Sequence, residues 1–221
     1  MLDRSVQIAA YFDQLYRENG RYWWRDKDRY AGHSEAYPYS LLTQLTLRAL
    51  EGRPPGRALD LGAGEGSDSI RLALLGYQVD SVEISPVAAA KIARFADEVE
   101  AKVNVIVADI GKFEPTELYD VVICNGVLHY IEDKETVVAR MQAATKSDGI
   151  NVVSLWSSYT PVPSCHNIAP VFCDDEHGVV TKLYERWQSE FLYFERDKPE
   201  TAHGDLPGHN HSHIKLIARN S

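Results

Sequence analysis

Cysteine is scarce in this chain: Cys124, Cys165 and Cys173 are the only three in 221 residues. An odd number without paired spacing argues against a disulfide framework. Cys165-His166, and Cys173 with His177, lack the C-x2-C or H-x3-H spacing of a structural zinc site. Basic charge is also short. Lys and Arg number 23 against 32 Asp and Glu, a formal net charge of −9, which repels phosphate backbones and argues against a nucleic-acid partner. No apolar run approaches the roughly 20 residues of a membrane span, so no membrane partner is expected. The start, Met1-Leu2-Asp3-Arg4-Ser5-Val6, has neither the basic opening nor the apolar stretch of a secretory signal. These absences together set the expectation of a reduced, cytoplasmic protein. A G-x-S-x-G nucleophile elbow is missing too, which removes Ser-His-Asp catalysis on that pattern.

What is present is the composition of a folded protein, 44% hydrophobic and 25% charged, in a length that suits one domain with a small appendage. Over residues 3–19 the apolar positions Val6, Ile8, Ala9, Phe12, Leu15 and Tyr16 follow a helical rhythm that Asn19-Gly20 ends. Tyr22, Trp23, Trp24, Tyr30, Tyr37 and Tyr39 form an aromatic cluster. Leucines between Ser40 and Glu51 predict a second helix, and Gly52-Arg53-Pro54-Pro55-Gly56 then breaks the chain. Residues 1–52 therefore read as a helical, aromatic-rich N-terminal cap or lid.

From Arg57 onward strands and helices alternate. Strands are expected at 57–61, 77–84, 103–107, 120–124 and 149–155, and helices from Ser67 or Asp68, either of which can cap, to Gly76, over 86–100 and over 132–145. Apolar strands alternating with amphipathic helices predict a parallel sheet covered on both faces. Residues 157–178 read as loop and residues near 181–187 as a short helix. Two further strands, 191–195 and 213–218, are joined by a stretch without helical pattern and predict an antiparallel edge. The expected fold is α/β: a Rossmann-like, doubly wound, mostly parallel seven-stranded sheet with an antiparallel C-terminal edge, spanning residues 57–221.

The chemistry concentrates in Asp60-Leu61-Gly62-Ala63-Gly64-Glu65-Gly66, a strand followed by a glycine turn and a helix. Glycines without Cβ atoms let a ligand lie against the backbone at Gly62 and Gly64, and the next helix opens with free N–H groups. Glu83 ends the following strand, placed to accept from both hydroxyls of a ribose. The spacing is G-x-G-x-G, not the G-x-G-x-x-G of dinucleotide sites. A carboxylate at Asp60 opposes a pyrophosphate but suits a ligand carrying an ammonium and a sulfonium. Glu65 reads as a first-turn helix charge.

This segment resembles motif I of class I methyltransferases that use S-adenosylmethionine (SAM). The resemblance implies SAM as cofactor or co-substrate, held by Asp60, Gly62, Ala63 and Gly64, by Glu83 and Ile84 at the ribose, by Asp109 and Ile110 at the adenine, and by Asn125 at the methionine end. Asn151-Val152-Val153, Leu183-Tyr184-Glu185-Arg186-Trp187 and the closing 213–219 stretch are similar to the tellurite-resistance methyltransferase group. The aromatic cap is longer than the short leader of that group.

Tyr22, Asn125 and Tyr130 are the candidate catalytic residues, and Trp23, Tyr37, His129 and Trp156 the candidate substrate pocket. Aromatic faces attract a sulfonium, and they also simply pack. His209, His211 and His213 alternate and would share one side of a strand. Metal ligation, a general base and a plain polar edge remain open for them, and no metal is assigned. The leading expectation is methyl transfer from SAM to a small-molecule acceptor by in-line displacement. Two alternatives stand beside it: cyclisation of SAM itself to azetidine-2-carboxylate and methylthioadenosine, and SAM binding without catalysis. No oligomeric state follows from the sequence.

Overall fold

The computed structural model describes residues 4–22, 41–164, 166, 171–200 and 206–221. Trp23, Trp24, Tyr30, Tyr37, Tyr39 and Cys165 therefore lie outside the described residues. The elements run α1 (Arg4–Glu18), α2 (Leu41–Ala49), β1 (Arg57–Leu61), α3 (Ser67–Leu74), β2 (Gln78–Glu83), α4 (Pro86–Asp97), β3 (Val103–Val107), β4 (Tyr119–Asn125), α5 (Lys134–Ala143), β5 (Thr145–Trp156), α6 (Val179–Leu183), β6 (Gln188–Glu200) and β7 (His209–Arg219). A single 3-10 turn at Leu128–Tyr130 sits between β4 and α5.

The strands form one seven-stranded sheet in the order β3-β2-β1-β4-β5-β7-β6. β1 through β5 pair in parallel, and β7 enters antiparallel between β5 and β6. This is the expected doubly wound sheet with its antiparallel C-terminal edge. Successive strands are added to one side of β1 (β2, β3) and then to the other (β4, β5), so the carboxyl ends of β1 and β4 open a crevice at the switch point.

Side chains alternating along each strand feed two apolar layers. On β4, Val122 and Cys124 join Leu59, Val138, Met141, Val153 and Ile214 on one face. Val121 and Ile123 join Leu42, Leu72, Ile150 and Ile217 on the other. Phe95 and Ile70 are completely buried between α3, α4 and the sheet. Burying a side chain of that size contributes roughly 1.5–3 kcal/mol.

Several expected boundaries shift, each for a local reason. The helix after the glycine turn takes neither Ser67 nor Asp68 as its cap: Gly66 occupies that position in the left-handed region at φ 82°. A Cβ there would also approach Ile92 Cγ2 to 2.9 Å. The short helix expected near 181–187 starts earlier, because Asp174 accepts from the Val179 and Val180 amides at 3.1 and 2.8 Å and nucleates α6. β6 and β7 outrun the apolar segments that signalled them. Lys198 pairs with His211 and Glu200 with His209, so ladder bonding continues through polar residues that carry no strand pattern. On α1, Val6 is exposed while Ile8 and Tyr16 are buried.

Candidate functional site

A cavity of about 900 Å³ opens at the carboxyl ends of the parallel strands. Motif I forms one wall. β1 ends in the turn at Gly62, whose φ of 73° belongs to the left-handed region. An added Cβ would come within 2.5 Å of Val127 Cγ2. Besides any ligand, then, the neighbouring β4 loop requires glycine at this position. The turn is fastened to β2, since the Gly62 and Ala63 amides donate to the Val82 carbonyl at 2.8 and 3.1 Å.

Carboxylates gather here at high density. Asp60 is buried and accepts from Ser69 Oγ at 2.6 Å. Loss of hydration, reinforced by neighbouring Asp68, pushes its carboxyl well above the usual carboxylate range. Asp68 is raised by burial as well. It accepts from Thr43 Oγ1 at 3.0 Å and from Asn125 Nδ2 at 3.1 Å, so it belongs to the cavity wall and does not cap α3. Asn125 is held from its other side by Ser154 Oγ, which donates to Oδ1 at 2.5 Å. Glu83 accepts from the Gly64 amide at 2.8 Å and the Ser85 amide at 2.9 Å. Burial outweighs those bonds and lifts its carboxyl to about 7. Asp109 accepts from the Gly111 amide at 2.9 Å. Ile84, Asp109 and Ile110 line the same cavity.

The N-terminal helix covers this wall. Ile8, Tyr11, Phe12, Leu15 and Tyr16 of α1, with Tyr22 beyond it, line the cavity. Asp13 on α1 accepts from Ser85 Oγ and from the Val87 amide, and the Asn19 carbonyl accepts from Lys91 Nζ. Glu65 was expected to be a first-turn helix charge and no more. Instead it is buried, accepts from the Tyr22 amide at 2.9–3.0 Å and pairs with Lys91 Nζ at 3.0 Å. No local pattern announces that role: its partners are 43 and 26 residues away. Glu65 anchors the chain segment that carries Tyr22 over motif I.

The opposite end of the cavity is built from rings. Tyr130 meets Phe12 edge-to-face at 5.5 Å, and its backbone carbonyl accepts from Arg4 at 2.9 Å. Burial pushes the Tyr130 phenol up, so it stays protonated. His129 is buried and stacks on Trp156 at 4.1 Å. Its Nδ1 accepts from the Trp156 amide at 3.3 Å, which leaves the proton of the neutral ring on Nε2. Burial holds it well below the usual imidazole range. The other face of Trp156 stacks on His211 at 4.0 Å, and His166 stands edge-on to it at 4.8 Å.

The three alternating histidines do not act as one set. His209 and His211 turn towards His166, which lies 43 and 45 residues earlier in a loop. His213 faces the carboxylates of Glu195 and Glu200 at 3.4 and 3.9 Å. Burial, aided by Lys215, lowers its imidazole to about 4, so it is neutral near pH 7 and a weak base.

The sheet order, the switch-point crevice and the glycine turn ringed by carboxylates define the class: the fold is that of class I SAM-dependent methyltransferases. The family model described as tellurite resistance protein TehB matches residues 25–217, and the chain belongs to that family. The probable SAM-dependent methyltransferase TehB of Haemophilus influenzae is 26% identical over 156 residues, covering 70% of this chain and 53% of that protein. The crystal structure of TehB from Haemophilus influenzae superposes with a TM-score of 0.69 at 20% identity, over 88% of this chain and 67% of that one. Magnesium protoporphyrin IX methyltransferase from Synechocystis, solved with bound SAM, superposes with a TM-score of 0.61 at 20% identity, over 100% and 99% of the two chains. The chain spans about half the length of the curated relatives it matches. The asparagine of the Asn151-Val152-Val153 stretch and the tyrosine of Leu183-Tyr184 meet in the core, where Asn151 Nδ2 donates to Tyr184 Oη at 2.9 Å. Among the described residues no helix is long and apolar enough to cross a membrane.

Proposed function

We propose that this protein transfers the methyl group of SAM to a small-molecule acceptor. The observation that carries this reading is a single cavity with two chemically different ends. Its volume of about 900 Å³ lies near the top of the ~300–1,000 Å³ range of small-ligand sites and leaves room for a second reactant beside SAM. Cyclisation of SAM needs no such second space, and the relatives described above lend it no support.

In this reading Asp60, Asn125 and the Gly62–Gly64 turn hold the amino-acid end of SAM, Glu83 and Ile84 its ribose, and Asp109 and Ile110 its adenine. Ionised carboxylates at Asp60 and Glu83 regain in the complex the solvation that burial removed. Tyr22 and Tyr130 present rings towards the sulfonium, an attraction of roughly 0.5–2 kcal/mol once water is excluded. His129 and Trp156 bound the acceptor. The acceptor's nucleophilic atom bonds to the methyl carbon as the carbon–sulfur bond breaks, and the electron pair returns to sulfur to give S-adenosylhomocysteine. Proximity and dehydration do most of the work in such a displacement. Tyr130 keeps its proton, and His129 carries its own on Nε2, so neither serves as a ready base. A soft acceptor, a thiolate or a tellurium or selenium oxyanion, needs none.

The test is product analysis of purified protein with SAM alone, then with SAM plus thiol, tellurite or selenite acceptors. S-adenosylhomocysteine that forms only when an acceptor is present is the expected result. Methylthioadenosine from SAM alone would sink the reading.

A further inference from the structure

The strand-to-loop convergence of His166, His209 and His211 has geometry beyond what ring packing requires. His166 Nε2 lies 3.1 Å from His209 Nε2 and 3.0 Å from His211 Nε2, and one ring nitrogen from each residue falls within 4.8 Å of the other two. A ring nitrogen has one in-plane position, holding either a proton or a lone pair. His209 Nδ1 sits 2.7 Å from the Pro207 carbonyl. That oxygen only accepts, so Nδ1 carries the proton and Nε2 of the neutral ring presents its lone pair to the cluster. One proton shared at His166 would make a weak three-centre contact. A cation at the centre satisfies all three nitrogens.

We propose that His166, His209 and His211 bind one divalent transition-metal ion of the zinc class through their Nε2 atoms. Three imidazoles at zinc–nitrogen bonds of ~2.0–2.1 Å in tetrahedral array stand ~3.3 Å apart, close to the two spacings from His166 of 3.1 and 3.0 Å, with the whole set inside 4.8 Å. The Pro207 carbonyl supplies the outer hydrogen bond that commonly orients a metal-bound histidine. The Glu200 carboxylate, 3.7 Å from His209 Nε2, adds negative charge beside the lone pairs. Trp156 stacks on His211 and buttresses His166, and the His166 amide is pinned to the Pro163 carbonyl at 3.0 Å. Imidazole-only sets suit Zn, Cu, Ni and Fe, not Mg or Ca. His213, which the sequence groups with the other two, is replaced in this set by His166.

His166 also lines the cavity, so the ion sits at the acceptor end. Resting on the proposed function, the acceptor class is then an oxyanion or thiolate that takes the ion's remaining coordination position. Metal binding itself does not depend on that reading.

The experiment uses tag-free protein, dialysed against chelator and then titrated with Co²⁺ and Zn²⁺ in the absence of SAM. One tightly bound ion per chain is expected, with the visible d–d absorption of tetrahedral Co²⁺ and its displacement by Zn²⁺. His166→Ala, in a loop, and His209→Ala should each weaken Co²⁺ binding at least tenfold, while the exposed His177→Ala should not. Circular dichroism and SAM calorimetry on the same variants separate a lost site from a lost fold. Absence of stoichiometric binding, or Co²⁺ spectra unchanged in a folded His166→Ala variant, would overturn the proposal. Metal bound without methyl transfer would overturn the proposed function and leave the ion site standing.

Discussion

The two ends of the cavity are opposites in chemistry and in origin. The motif I end consists of carboxylates held by turn amides and by neighbouring hydroxyl and amide side chains, within 50 residues from Asp60 to Asp109. The far end consists of rings drawn from α1, the loop after β4, β5 and β7, with Trp156 opposite His213 across the antiparallel β5–β7 pair. The first is a rigid charged cradle. The second is a stacked column in which His129, Trp156 and His211 support one another. A site assembled from consecutive strand ends can be written in a short motif, whereas one assembled across strand order cannot.

Substitutions can break that contrast. The largest expected effect is from Glu65→Ala, which leaves Lys91 buried without its carboxylate. Removing one partner of a buried pair costs roughly 3–5 kcal/mol. Urea unfolding should show it, together with weaker SAM binding as α1 and Tyr22 come loose. A loss under about 1 kcal/mol would mean that Glu65 is not the anchor of the cap.

Glu83→Ala comes next. It removes the acceptor for the Gly64 and Ser85 amides and for the proposed ribose contacts. Bonds to a charged group are worth ~1.5–3 kcal/mol, so calorimetry should register a 10–100-fold loss of SAM affinity. Cobalt binding at the three histidines should be unaltered.

The pH dependence sharpens the same contrast. Glu83 has a raised carboxyl, at about 7 in the free protein against 4.5 for the ordinary side chain, and Asp60 shifts in the same direction. A raised value means that the folded free protein holds the proton more tightly than the unfolded chain. Its contribution to stability is full below about pH 4.5 and is lost as pH rises through about 7. A ligand that prefers the ionised carboxylates reverses the sign. SAM should bind at least ~tenfold more tightly at pH 8 than at pH 5, releasing protons near pH 6. Calorimetry in buffers of different ionisation enthalpy measures both. Flat affinity over this range would show that SAM does not meet these carboxylates.

The smallest effect belongs to the ring column. Trp156→Phe shortens the stack and should cost ~0.5–1.5 kcal/mol in thermal or urea unfolding, with SAM affinity unchanged within about twofold. A large drop in SAM affinity would place Trp156 at the wrong end of the cavity.

Much of the fold was legible from residue order. β1 and β3 coincide with their expected ranges, and the other parallel strands and the helices between them start or stop within a few residues. Apolar runs and glycine stops are local signals, and the parallel sheet obeys them. The edge strands were only half legible, since their outer halves are polar and gain order from ladder partners alone. As lining of the cavity, Asp60, Glu83, Asp109 and Asn125 were legible because each lies within two residues of a strand's carboxyl end. Asp68 was read as one of two possible helix caps, and Glu65 as a first-turn helix charge, because burial by α1 and α2 leaves no trace in their neighbours.

By itself the sequence determined the glycine turn, the carboxylates around it and the α/β alternation that brings them to one end of the sheet. Those features depend on contacts between residues near in the chain and on one chirality rule for parallel strands. Only the tertiary structure decided that Glu65 and Lys91 fasten the N-terminal helix over motif I. It also decided that His166, rather than His213, completes the histidine cluster. Both outcomes rest on pairings between distant segments, whose geometry is set by sheet order and by what packing leaves buried.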